Sequence, residues 1–80
     1  MAETKTLAEL ADGVEAVVVS MPSGDAGLMR LREMGLLPKS RIHIVRRNVL
    51  GDPLEIAVRR SFISVRKSDA ARIVVQEISK

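Results

Sequence analysis

Catalysis needs matched groups within reach of one another, and in this chain the residues able to supply them are few and scattered. There is one histidine, His43, with no cysteine and no tyrosine. General acid and base work, or an activated nucleophile, requires a partner of suitable type beside the reacting group. No such constellation is present, so the sequence predicts no catalytic residue and no cofactor. His43 lies in Arg41-Ile42-His43-Ile44-Val45, where alternation places Ile42 and Ile44 on one face and His43 on the other. Without a second His, Cys or carboxylate at a ligand-forming interval, it reads as an outward histidine in a basic strand, and no metal site is predicted. Gly24-Asp25-Ala26-Gly27 lacks the Gly-Lys-Ser/Thr ending whose lysine reaches phosphates, and reads as a turn and helix cap.

The remaining chemistry is charge. Thirteen Lys and Arg face ten Asp and Glu, a net charge of +3, which describes a mixed-sign surface more than a polyanion site. Arg46-Arg47, Arg59-Arg60 and Arg66-Lys67 fall on three neighbouring predicted strands and could converge into one basic patch. That is the strongest nucleic-acid signal here. Single-strand binders, however, stack bases on aromatic rings, and Phe62 is the one aromatic residue. A solvated surface or an acidic partner is therefore favoured, and no specific nucleic acid is expected. The same aromatic poverty argues against proline-rich peptide binding.

The elements that hold these residues are short. Thr6 to Leu10 reads as a helical turn and Asp12-Gly13 as a chain reversal. Val14 to Ser20 is a strand rich in β-branched residues. A helix follows at about Asp25 to Met34, capped by Ser23 or Asp25, with Leu28, Leu31 and Met34 as its buried stripe. Gly35 ends it and Pro38 keeps it from resuming. Further strands are predicted at 41–45, 54–59 and 62–66, with Asn48 to Pro53 as a turn. Ser68 to Arg72 fits one helical turn capped by Ser68, and residues 73–78 close as a last strand. The fold class is mainly β: a small SH3-like antiparallel barrel of about five strands with one inserted helix.

Eighty residues make one domain spanning 1–80, with 1–5 expected as a flexible lead. No run approaches the roughly 18 apolar residues of a membrane span, so no direct membrane insertion is expected. The N-terminus has no secretory pattern, and the absence of cysteine fits the cytoplasm. Two apolar features fall off the predicted core. Met29 is outside the helix stripe, and Val49-Leu50 occupy a turn tip. The simplest expectation is that Leu50 folds back to plug the barrel end and Met29 packs beside the first strand. The alternative is a docking surface, for which the candidate residues are Met29, Arg30, Arg32, Val49 and Leu50.

The string Leu31-x-x-Met34-Gly35-Leu36-x-Pro38, then Leu50-Gly51-Asp52-Pro53-Leu54-Glu55-Ile56-x-Val58-Arg59, then Val65-Arg66-Lys67-x-x-x-Ala71 resembles the FeoA family of ferrous iron transport accessory proteins. The resemblance runs from about Thr6 to Ile78. It implies a cytoplasmic SH3-like barrel that acts with FeoB, a membrane ferrous iron transporter carrying a GTP-binding domain. Similar modules form the C-terminal domain of some metal-dependent transcriptional repressors, and such a regulatory domain, like a basic barrel binding RNA or DNA, is an alternative reading. Two positions depart from the family pattern. Lys39 and Arg60 stand where glycines usually turn the chain, so these turns are expected either to use other conformations or to carry strain.

Overall fold

The computed structural model describes residues 4–22 and 25–78. Six antiparallel strands form its sheet: β1 (Thr4–Thr6), β2 (Ala16–Ser20), β3 (Arg41–Arg47), β4 (Leu54–Val58), β5 (Ser61–Val65) and β6 (Val74–Glu77). Two helices are inserted, α1 (Ala26–Glu33) between β2 and β3 and the short α2 (Lys67–Ala70) between β5 and β6. The strand order is β1-β6-β2-β3-β4-β5. The fold is mainly β with an inserted helix, as expected from the sequence, and its sheet has six strands and does not close into a barrel. The extra strand is β1, where Thr4, Lys5 and Thr6 pair with Gln76, Val75 and Val74. Residues 4 and 5, expected to be flexible, are thereby part of the sheet. Residues 1–3 and Ser23, named above as a possible cap, lie outside the described residues.

The strand phases follow the alternation. Ile42, Ile44, Leu54, Ile56, Val58, Ile63 and Val65 are all buried, with Ile44 opposite Ile56 and Ile56 opposite Ile63 across the ladders. Burial of such side chains stabilises by about 1.5–3 kcal/mol each. Leu7 and Leu10 from a 3₁₀ turn, Leu28 and Leu31 from α1, and Ala70 and Ile73 around α2 close the same core. Thr6 opens that 3₁₀ turn with a capping box, its N–H donating to Glu9 Oε1 at 2.8 Å. That bond, and the Thr6 hydroxyl on the same oxygen, hold the Glu9 carboxyl below the usual carboxylate range.

Two local devices depart from simple periodicity. In β3 the register passes from Ile44 opposite Ile56 to Arg46 opposite Glu55, leaving Val45 as a bulge. Strict alternation would turn Arg46 inward and Arg47 outward. The bulge reverses this. Arg46 lies exposed beside Glu55 at 3.4 Å, while Arg47 shares the phase of buried Leu54. Its guanidinium donates to Asp12 Oδ1 at 2.7 Å and to the carbonyls of Ala8 and Leu10.

The second device ends α1. Gly35, at φ 107°, donates to Arg32 O, and Leu36 N donates to Leu31 O, the paired bonds of a Schellman motif. The reversal brings Leu36 into the core at 0% exposure, whereas Met34 is 48% exposed. The predicted stripe of Leu28, Leu31 and Met34 is thus corrected at its last member: the buried residue after Leu31 is Leu36. The Ser40 hydroxyl accepts from Leu37 N at 3.0 Å and donates to Gly35 O at 3.4 Å, fixing the exit of the helix.

Candidate protein-interaction surface

Helix α1 is positioned from both ends. Asp25 caps it, with Oδ1 accepting from Gly27 N at 2.9 Å and Leu28 N at 3.3 Å. Its Oδ2 accepts from Arg72 Nη1 at 2.7 Å. The hydrogen bond from Arg72, with those from the helix amides, holds the Asp25 carboxyl below the usual aspartate range. Asp25 in turn raises the pKa of Arg72. Gly27 permits the close approach of α2, since a Cβ there would stand 3.2 Å from Asp69 Oδ2. The start of α1 is therefore clamped against the end of α2, which sets the direction in which α1 presents its outer face.

That face carries Met29, Arg30, Glu33 and Met34, all exposed. Met29 is 53% exposed and does not pack beside β2 as the simplest expectation had it. Arg32 does not join it. Four residues after Leu28, it lies one turn further along the flank of the buried stripe. It is half-buried, and Nη2 donates to Met21 O at 3.0 Å and Pro22 O at 3.5 Å. Arg32 Nε is buried without a partner. Arg32 thus ties the helix to the end of β2, and is less a surface cation than a strut. Met34, which sequence reasoning placed in the core, takes its place on the outer face beside Arg30. The apolar pair Leu31 and Leu36 around Gly35 was the signal that would have found it.

The second candidate element is the turn after β3. Val49 and Leu50 are 87% and 92% exposed, so Leu50 does not plug the end of the sheet. Leu50 takes φ 68°, a conformation unusual for a residue with a Cβ, and is followed by Gly51 at φ 78°. The turn is anchored behind its tip. Gly51 N donates to Asn48 O at 2.7 Å, Asn48 N donates to Pro53 O at 3.2 Å, and Asp52 Oδ1 accepts from Lys67 N at 2.9 Å. This last bond satisfies an amide at the start of α2, whose cap position is Arg66 and not the expected Ser68.

The basic pairs do not converge. Arg59-Arg60 form the β4–β5 hairpin turn beyond the Val58 and Ser61 pair, whereas Arg46-Arg47 and Arg66-Lys67 lie at the opposite end, beside Leu54 and Val65. Four residue steps along β4 separate the two ends by roughly 13 Å. Arg46 and Arg47 are moreover engaged with Glu55 and Asp12. This removes the continuous basic track a nucleic acid would follow. His43 is half-buried on the outer sheet face, in a shallow cleft of about 240 Å³ that it lines with Glu15, Arg41, Ala57 and Arg59. Among the described residues no group of three His, Cys, Asp or Glu side chains is placed to hold a metal ion. No described helix is long and apolar enough to cross a membrane.

Known proteins share this arrangement. The family model for the FeoA domain matches residues 5–77. The FeoA protein of Chlorobium tepidum is similar at 30% identity and a TM-score of 0.85, over 92% of this chain and 70% of that one. The zinc-complexed FeoA of Stenotrophomonas maltophilia, described as a procaryotic SH3 domain protein, is 36% identical with a TM-score of 0.75, over 88% of this chain and 87% of that one. A manganese-dependent transcriptional repressor shares the fold alone, at 18% identity and a TM-score of 0.84, over 98% of this chain and 44% of that one. With a domain match that runs from within β1 to the end of β6, the chain belongs to the FeoA family, which is associated with ferrous iron transport.

Proposed function

We propose that this chain is a non-enzymatic cytoplasmic accessory of ferrous iron uptake that docks on the cytoplasmic part of an FeoB-type membrane transporter and modulates it. Iron is the transporter's cargo in this reading, and the chain binds protein. The observation that carries it is the exposure of Met29 at 53% and Leu50 at 92% in a member of an iron transport family. Flexible methionines next to cations suit a surface that buries apolar area against a charged partner. Met29, Arg30 and Met34 form the contact on α1, and Val49-Leu50 extend it or serve as a second contact. Arg32 supports the helix from behind.

The test is a binding measurement between the purified chain and the cytoplasmic part of an FeoB-type transporter from the same organism, together with iron uptake in cells. Met29→Ala combined with Arg30→Glu leaves the melting temperature within a few degrees, because exposed substitutions change stability by under about 0.5 kcal/mol. Binding and uptake fall. A folded double variant with full binding and uptake rules out the α1 face and moves the contact to Val49-Leu50, where Leu50→Asp is the corresponding variant. Full binding and uptake in both variants sinks the proposal.

A further inference from the structure

Strand β5 ends the sheet, with β4 as its one paired neighbour. Its residues Ser61-Phe62-Ile63-Ser64-Val65 contain no proline and no charge, where natural edges are commonly blunted by one or the other. Arg59-Arg60 are a two-residue hairpin turn closed by Val58 and Ser61. The closing pair of such a turn exchanges both its hydrogen bonds, so the bonded pairs are Val58 with Ser61, Ile56 with Ile63 and Leu54 with Val65. The alternation turns the N–H and C=O groups of Phe62 and Ser64 to the open side. No other backbone hydrogen bond among the described residues reaches 61–65. The Phe62 side chain is 70% exposed and Ser64 is also exposed, both on the face opposite buried Ile63 and Val65.

Charge decides what such an edge accepts. Arg59 and Arg60 flank it at one end and Arg66 and Lys67 at the other, all exposed and none with an acidic partner within ion-pair distance among the described residues. Two copies joined antiparallel through the full length of β5 would bring Arg60 opposite Arg66 and Arg59 opposite Lys67, and like charges directly opposed destabilise a ladder. The same four cations favour an extended segment of another protein in which a short neutral stretch is flanked by Asp or Glu. We propose that the β5 edge binds such an acid-flanked strand by β-augmentation, with the backbone groups of Phe62 and Ser64 supplying the ladder and the Phe62 ring covering one apolar side chain of the incoming strand. At its Arg66 end this surface adjoins the α1 face, since Arg66 and Arg30 line one cleft, but its occupancy does not depend on the transporter being the partner.

A peptide of alternating Thr and Val flanked at each end by paired Asp is the probe. Backbone amide shifts and hydrogen exchange are followed on the full chain during titration. The Phe62 and Ser64 amides shift most and exchange more slowly when the peptide is bound. Ser64→Pro removes an outward N–H while leaving the bonds to β4 intact, and abolishes binding. Arg60→Glu combined with Arg66→Glu weakens binding about tenfold or more without touching the edge, which covers the case that the proline variant fails to fold. Replacing the peptide's Asp by Lys has a similar effect. Shifts that leave Phe62 and Ser64 unmoved, unchanged binding by the Arg60 and Arg66 variant, or no binding to the folded wild-type chain would each overturn the proposal. So would sedimentation showing a dimer whose Phe62 and Ser64 amides are already protected, since the occupant would then be a second copy.

Discussion

Lys39 occupies a backbone conformation that glycine adopts more readily. Its φ is 78°, and its N–H donates to Val18 O at 2.8 Å, so the turn between α1 and β3 is held to β2 in a shape that strains any residue with a Cβ. Lys39→Gly keeps the bond and relieves the strain, and is expected to stabilise the fold by up to about 1 kcal/mol in thermal unfolding. The turn at Arg59-Arg60 shows the limit of reading strain from position alone. It is Arg59, at φ 56°, and not Arg60 that takes the left-handed conformation. Arg32 and Arg30 form a second comparison. Arg32→Glu removes the donor to Met21 O and places a carboxylate against a carbonyl, and should cost about 1–3 kcal/mol, whereas Arg30→Glu on the outer face costs little in the same urea series. Asp25 has a depressed carboxyl, because of Arg72 first and the α1 amides second. A group whose folded pKa lies below its unfolded value contributes stability that is present above the unfolded pKa and is lost as pH falls through the folded one. The melting temperature should therefore fall on acidification below the ordinary aspartate range, and Asp25→Asn, which still caps the helix, should flatten that part of the profile.

At the level of elements, the Schellman ending of α1 decides which apolar residue belongs to the core. Leu36→Ala should cost about 2–5 kcal/mol and Met34→Ala a few tenths, a contrast that chemical denaturation resolves directly. An equal cost at the two positions would return Met34 to the buried stripe. Helical spacing alone favoured Met34, since it continues the interval of Leu28 and Leu31, and only the reversal at Gly35 hands the site to Leu36. Strand β1 was illegible for another reason. Thr4-Lys5-Thr6 has no apolar alternation, and it is a strand because β6 offers an edge seventy residues away along the chain. The inward turn of Arg47 is set by a bulge that no local pattern announces, since one extra residue at Val45 inverts the phase of everything after it. By contrast β4 was plain in the sequence, since Leu54, Ile56 and Val58 alternate with no interruption, and Ile56 meets buried Ile44 and Ile63 on its two sides.

Across the whole molecule, stability rests on a core assembled from both helices and strands β2 to β6, so a single deletion there is felt globally. Ile56→Ala, at the centre of three paired strands, should cost about 2–5 kcal/mol, a large part of the 5–15 kcal/mol typical of a domain. Glu55→Ala, half-buried on the outer face beside Arg46, should change the unfolding midpoint little. The candidate surface was legible in part. Met29 and the 49–51 turn stood out as apolar residues in polar places, but whether they folded inward depended on how the chain closes, which no local pattern encodes. The edge of β5 was invisible for a related reason: that a strand has only one neighbour is a property of the assembled sheet. The pairing of β1 with β6 carries one more consequence. Thr4 lies opposite Gln76, so the chain enters and leaves the domain side by side, on the flank of the sheet away from β5. A domain built in this way is a cassette. It can be spliced into a host protein's loop or circularly permuted, its native ends joined by a short linker and new ends opened at Leu50, without rerouting any strand through the core.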